Sequence, residues 1–325
     1  YTGGGCPHIL AEPMRTNLYV NSEPTTNEGA AANITYESFS WAIGFDNCVA
    51  FGDNSVLRYR YGATVPASTE VTLSCFIIMD DLSEPVVSLS SSSGDFSLVI
   101  AGAIGGTINA NVSMGSNTWK VSQTTTSGVG NLGNNGILKQ TTQSSKGFKV
   151  VGWQMEVGSY GTSYIPNFGT ALGVTRNQDI FTRDGIGSLI NSTEGVLFVE
   201  MAALADDLTY RYVTLSDGTA TNRIDIRYNN VSNQIEALLR GSSSFIILTY
   251  TVTDITNFNK IAFKYKTGDF ALWVDGFERA VNSTAITTTG LNKLALDNGG
   301  GSQNFFGKVK QLQVYDTALT DEQLE

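Results

Sequence analysis

The sequence predicts an all-β protein made of two tandem antiparallel β-sandwich (jelly-roll) domains, and three observations carry that expectation. Short apolar segments of strand length recur along the chain, separated by clusters of Gly, Ser, Thr, Asn and Asp. Charged residues are only 15% of the chain and glycines number 34, a composition poor in helix formers and suited to strands joined by tight turns. With 325 residues, 41% of them hydrophobic, the chain is long enough for two cores.

Taken in order, residues 1–15 carry Gly and Pro punctuation and read as an N-terminal arm or connector. The first sandwich is expected over 16–167. Ser55 to Tyr61 alternates cleanly, as a half-buried strand should. Glu70 to Met79 reads as a more buried strand with Val71, Leu73, Cys75 and Ile77 on one face. Phe96–Ile100, Thr118–Ser122 and Lys146–Glu156 continue the series. Residues 168–190 lack a sustained period and read as a linker.

The second sandwich is expected over 191–325, with strands at Gly195–Leu204, Tyr210–Ser216, Arg223–Tyr228, Gln234–Leu239, Ser244–Thr251, Lys260–Tyr265, Phe270–Val274, Leu291–Leu296 and Phe305–Tyr315. Asp275-Gly276 marks a hairpin, because a type I′ turn needs positive φ at both central residues. Thr320 to Gln323 has the spacing of a capping box and predicts a short helix.

Several function classes fall away on composition. The net charge is −10 and the basic residues are scattered, so no stripe exists to neutralise nucleic-acid phosphates or an anionic membrane surface. No apolar run approaches the roughly 18 residues of a membrane span. Cys6, Cys48 and Cys75 form no C-x-x-C pair, which argues against a zinc site. Cys48 and Cys75 could bridge in an oxidising setting; the plainer reading is two buried thiols. The chain opens Tyr1-Thr2-Gly3-Gly4-Gly5 and reads as a piece of a longer polypeptide.

Catalysis has little to work with. The one histidine, His8, stands in the expected arm, so a nucleophile–imidazole arrangement is not indicated. Glycoside hydrolysis needs two carboxylates about 5 to 9.5 Å apart, but Asp206-Asp207 and Glu194/Glu200 do not place such a pair on one strand face.

Three segments resemble known families. Cys6-Pro7-His8-Ile9-Leu10-Ala11-Glu12-Pro13-Met14-Arg15-Thr16-Asn17-Leu18, followed by Asn21-Ser22-Glu23, resembles the opening of phage tail and virion proteins that carry a carbohydrate-binding-like jelly roll. Gln154-Met155-Glu156-Val157-Gly158, with Thr162-Ser163-Tyr164-Ile165-Pro166, is similar to the signature that closes such domains, and Val174-Thr175-Arg176-Asn177-Gln178-Asp179 occupies the place of the element that follows. Asn167 stands where that signature usually has Thr, and Tyr160-Gly161 is unusual there. Phe306 to Asp316, with Ala318 to Leu324, resembles the last strand and terminal turn of laminin-G-like, concanavalin A-like lectin/glucanase domains, as Leu272-Trp273-Val274-Asp275-Gly276 resembles their hairpin. The E-x-D-x-x-E strand of the enzymes in that superfamily is missing.

These resemblances imply a non-enzymatic bacteriophage virion component (tail fibre, tail-tip or decoration protein) that presents carbohydrate-binding modules to host surface glycans. The implied partners are host cell-surface polysaccharide, other virion proteins and copies of the chain, a trimer being favoured. The implied location is the virion surface or the extracellular space. A purely structural virion module, a secreted bacterial adhesin and an accessory module of a polysaccharide-degrading enzyme are the alternatives.

Sugar recognition uses an aromatic face with polar groups beside it, each ring contact contributing on the order of 1 kcal/mol, so repetition in an oligomer matters. Candidate residues are Tyr36 and Trp41 around an early polar loop, and Tyr59 and Tyr61 on one strand face. In the second domain they are Tyr210, Arg211, Tyr212, Arg223, Asp225 and Tyr228, read as lying opposite the apolar face. The alternative for each taken singly is an ordinary core or covered strand residue. Trp119, Trp153 and Trp273 read as core. No cofactor is implied beyond a structural calcium, for which the resemblance offers Glu23, Asp179 and Asp297.

Overall fold

The structure, a computed structural model, describes residues 8–26, 33–52, 57–61 (backbone only), 65–127, 134–241 and 244–325. The chain forms two compact units, Met14–Asn177 and Gln178–Glu325, the second also taking the segment that ends at Pro13. The architecture is all-β, with antiparallel pairing in each sheet.

In the first unit a seven-stranded sheet runs in the order Ile34–Ser38, Asn47–Phe51, Phe148–Val157, Glu70–Met79, Thr118–Thr126 and Thr107–Ile108, with Val112–Gly115 also pairing the Thr118–Thr126 strand. A three-stranded sheet of Leu57–Tyr61, Asn135–Lys139 and Ser97–Val99 contributes Leu98 and Ile137 to the core opposite it. Val71, Leu73, Cys75 and Ile77 all enter that core, as their alternation predicts. Phe148 fills its centre, stacked on Phe51 at 4.6 Å and tilted against Phe96 at 4.7 Å. Cys48 and Cys75 are free thiols on opposite faces of the sheet, Cys75 in the core and Cys48 in a satellite cluster. A bridge between them is therefore not formed. Burial raises both thiols, Cys48 to about 11.

The opening and closing motifs of this unit meet in one buried polar network. Asn17 is fully buried; its Nδ2 donates to the Ile165 carbonyl at 2.7 Å and to Ser22 Oγ at 2.9 Å, and its Oδ1 accepts from the Tyr19 and Met155 amides at 3.0 Å each. Gln154 Oε1 accepts from the Ile165 amide at 2.6 Å, while its Nε2 donates to Glu156 Oε2 at 2.7 Å. Glu156 in turn accepts from the Thr162 amide at 2.9 Å and from the Thr162 hydroxyl. Asn167 is buried as well, its Oδ1 accepting from the Thr170 amide at 2.8 Å. Trp153 lies under this network, wholly buried and stacked on Tyr19 at 5.6 Å. Residues far apart in sequence are thus tied by bonds that water cannot replace.

The second unit is a sandwich of two six-stranded sheets. One runs Ile9–Ala11, Gly307–Tyr315, Glu194–Ala203, Asn259–Lys266, Phe270–Val274, Phe277–Asn282. The other runs Thr182–Arg183, Lys293–Ala295, Arg211–Ser216, Arg223–Tyr228, Gln234–Arg240, Phe245–Thr251. Between them lies one core, in which Leu197, Val199 and Met201 of the first sheet face Val213, Ile224, Ile226, Ile235 and Leu239 of the second. Fully burying each such side chain stabilises by about 1.5–3 kcal/mol. The hairpin at Asp275-Gly276 forms as expected, with φ of 53° and 78°. The expected short helix spans Asp321–Leu324, and the Thr320 amide donates to Gln323 Oε1 at 3.0 Å.

Asn17→Ala should lower the unfolding free energy by about 2 to 4 kcal/mol, because it strands several buried donors and acceptors at once. Urea denaturation of the variant checks this; a loss below about 0.5 kcal/mol, the range of an ordinary surface change, contradicts it.

Candidate functional site

Alternation in the second sheet of the second unit sends its apolar residues to the core and leaves a polar set on the opposite face. Cross-strand register arranges that set in rows. Tyr212 lies opposite Arg227, which lies opposite Glu236, which lies opposite Thr249. Thr214, Asp225, Leu238 and Ile247 form the next row, and Ser216, Arg223, Arg240 and Phe245 the one after.

A chain of ion pairs runs through the rows. Asp225 takes Arg223 Nε on Oδ2 at 2.6 Å and Arg227 Nη1 on Oδ1 at 2.9 Å. Arg227 Nη2 pairs with Glu236 Oε1, and Glu236 Oε2 accepts from Asn229 Nδ2 at 2.9 Å. All of these side chains are buried. Burial pushes the Asp225 carboxyl above the usual carboxylate range, against the pull of Arg227 and Arg223. The Tyr212 ring lies 5.0 Å from the Arg227 guanidinium and 5.4 Å from that of Arg223. Tyr210, half-buried, stacks on Tyr212 at 5.8 Å and bonds Asn230 through its hydroxyl at 3.1 Å. Cation–π contacts of this kind contribute from about 0.5 kcal/mol when exposed to about 2 when desolvated.

The arrangement is built to hold rings and amides still. Asp225 and Glu236 are two carboxylates on one face, yet both Asp225 oxygens are engaged by guanidinium groups and the side chain is wholly buried. It therefore acts as an ion-pair partner, since a general acid must reach the proton's acceptor. What solvent reaches at this end of the sheet is the Tyr210 ring, Asn230, Gln234 and Thr251.

The residues singled out from sequence part into two groups. Tyr210, Tyr212, Arg223 and Asp225 come together here. Arg211 and Tyr228 do not. Arg211 points to the core side of its strand, bonding the Phe306 carbonyl at 2.9 Å and Asp207 at 2.7 Å. Tyr228 is a core residue whose hydroxyl donates to the Met201 carbonyl at 3.0 Å. In the first unit Trp41 is buried against Phe45 and Phe76, with Nε1 donating to the Asn47 carbonyl at 3.0 Å, so its ring is not available to a ligand. Tyr36 packs against the core of that unit. The side chains of Tyr59 and Tyr61 lie outside the described residues. Trp153 is core as expected and Trp119 is half-buried. Trp273 is buried, but on the side of its sheet away from the core.

Each carboxylate offered for calcium accepts a hydrogen bond from a protein group. Glu23 accepts from the Tyr164 hydroxyl at 2.8 Å, Asp179 from the Glu12 amide at 2.9 Å, and Asp297 Oδ1 from the Gly299 amide at 2.6 Å. Among the described residues no group of three or more His, Cys, Asp or Glu side chains is placed to hold a metal ion.

Arg227, Glu236, Asn229 and Gln234 were not picked out as site residues from the sequence. Alternation does place Arg227 with Arg223 and Asp225, and Glu236 with Gln234. The strand register that joins the two sets is a tertiary fact.

Residues 198–325 match the family model described as the concanavalin A-like lectin/glucanases superfamily, a segment that contains the whole of this face. Among solved structures the chain is similar to the CBM40 of the Ruminococcus gnavus IT-sialidase bound to alpha2,3 sialyllactose, at 15% identity and a TM-score of 0.38 over 44% of this chain and 96% of that one. It is similar to domain 4 of AbnA, a GH43 extracellular arabinanase from Geobacillus stearothermophilus in complex with arabinotriose, at 17% identity and a TM-score of 0.36 over 49% of this chain and 81% of that one. A further similarity is to the Caenorhabditis elegans galectin LEC-6, at 11% identity and a TM-score of 0.31 over 42% of this chain and 91% of that one. No curated protein matches the chain.

Asp225→Ala leaves two buried guanidinium groups without their shared counter-charge and should cost about 3–5 kcal/mol of stability. Arg240→Ala, at the exposed end of the same face, should stay within about 0.5 kcal/mol. Equal losses in the two unfolding curves would contradict the pairing described.

Proposed function

We propose that the second unit binds glycans without cleaving them, through the face that carries Tyr210, Tyr212 and Gln234. The single observation behind this is a half-exposed tyrosine stacked on a second ring that two guanidinium groups hold in place. An immobilised ring beside amide and hydroxyl groups suits the apolar face and hydroxyl rim of a sugar, and its side-chain entropy is already spent. The lectin/glucanase family match over 198–325 supports the same reading.

We further propose that the chain is part of a bacteriophage virion, as a tail fibre, tail-tip or decoration protein, presenting this face to host polysaccharide. The motifs around Asn17 and Gln154–Pro166 support this reading, because they resemble those that bracket a virion jelly roll. Assembly through copies of the chain, a trimer being favoured, would repeat a weak site and raise avidity by about 10² to 10⁴. A structural role in the virion is favoured by a different observation: Phe245 and Phe277 are 60% and 62% exposed on the outermost strands of the two sheets, as side chains covered in an assembly would be.

Affinity electrophoresis of the protein in gels containing bacterial lipopolysaccharide or capsule tests the glycan reading. Retardation is expected with at least one polysaccharide, and Tyr210→Ala should weaken it about fivefold, the equivalent of one ring contact. No retardation in any gel leaves the structural role, and shortening of the polysaccharide chains overturns the non-enzymatic reading.

A further inference from the structure

The second unit has another outward face, on the sheet that contains Glu194–Ala203, and it is built differently. Gln313, Phe198, Ala262 and Trp273 lie side by side across four neighbouring strands. Strands stand about 4.8 Å apart, so Phe198 and Trp273 are spaced by about 9.6 Å with only the Ala262 methyl between them. Two aromatic walls and a small floor leave a trough. A cavity of about 270 Å³ occupies it, lined also by Gln311 and Gln313 and by Leu319 and Leu324 of the C-terminal turn.

One buried group there is unexplained. Trp273 is 5% exposed, and its indole Nε1–H is buried with no acceptor. Leaving such a donor unpaired is costly, and native structures seldom do so without a reason. The C-terminal turn packs against this cluster through Leu319 and Leu324, with Lys264 3.2 Å from Asp321. Elsewhere on this face Glu200 is paired with Lys310 at 3.2 Å, and Lys264 also contacts Asp269 at 3.1 Å. The lining of the cavity itself holds one cation and one anion, Lys260 and Glu325, so its side chains carry no net charge, and it offers primary amides on Gln311, Gln313 and Gln323 and the Tyr315 hydroxyl.

We infer that this trough is a second, separate ligand site, which takes one uncharged sugar ring between Phe198 and Trp273. The volume suits a single ring, since pockets for larger ligands run from about 300 to 1,000 Å³. A ring hydroxyl accepts from Trp273 Nε1–H, the ring's C–H face lies on the aromatic walls, and the glutamine amides bond the remaining hydroxyls. Because the N–H is covered in the closed arrangement, the Leu319–Leu324 side must shift for the ring to enter. This site is independent of the Tyr210 face, which lies on the other sheet.

The test is a nitrogen-15 titration of the intact chain with glucose, galactose, mannose and N-acetylglucosamine as probes, following the indole N–H signal of Trp273. A saturable shift with at least one sugar is expected. Calorimetry should show that binding at this site is lost in Trp273→Phe, which keeps a ring but no N–H. It should be weakened severalfold in Gln311→Ala, an exposed change that leaves the fold intact. Tyr210→Ala should not alter the Trp273 shift. The inference is overturned if no sugar moves the Trp273 signal, if Gln311→Ala and Trp273→Phe both bind as the unaltered chain does, or if Tyr210→Ala abolishes the shift. Sugar binding lost in Tyr210→Ala alone, with Trp273 silent, would uphold the first site and reject this one.

Discussion

Successive side chains of a strand leave on opposite faces, and in this protein that geometric constraint decides both stability and chemistry. Once Ile224, Ile226 and Tyr228 are committed to the core of the second unit, Arg223, Asp225 and Arg227 have only the outer face to occupy. A slip of one residue would push three charges into an apolar interior and expose three core side chains. The same rule puts Trp273 outside while Leu272 and Val274 fill the core. Both candidate sites are consequences of burying the other half of each strand.

Charge on the Tyr212 face does not serve stability in any simple way. A buried ion-pair chain is often no more stabilising than apolar residues of the same volume, because desolvation offsets the attraction. What the chain of Arg223, Asp225, Arg227 and Glu236 does provide is position. It holds two guanidinium groups beside Tyr212, and Tyr210 stacks on that fixed ring. The first unit uses a related device built on side-chain amides and a carboxylate. Asn17, Gln154, Glu156 and Thr162 form a buried polar lock that joins the two ends of its sequence.

Most strands were legible because period-2 alternation is a local signal. Glu70–Met79 and Arg223–Tyr228 fall where the pattern puts them, and the Asp275-Gly276 turn follows from its own backbone preference. The Ile9–Ala11 strand was not legible: it reads as part of an arm, and it becomes a strand only through pairing with Gly307–Tyr315 at the far end of the chain. Site residues were half legible. Tyr212 and Arg211 are adjacent; alternation with Val213 and Leu215 puts position 211 on the core side, and only the fold supplies the Phe306 carbonyl and Asp207 that receive a guanidinium there. Trp41 sits in a polar loop that looks exposed, but Phe45 and Phe76 bury it. Glu236 becomes part of the site only when strand register sets it opposite Arg227.

Hydrogen-exchange mapping of the chain with and without a polysaccharide that it binds tests the central claim most directly. Ligand contact at the outer face should slow exchange in the peptides that span 210–216, 223–229 and 234–240, and leave the first unit unchanged. Protection confined to residues 33–52 or 70–79 of the first unit, with these three strands unaltered, would contradict the account.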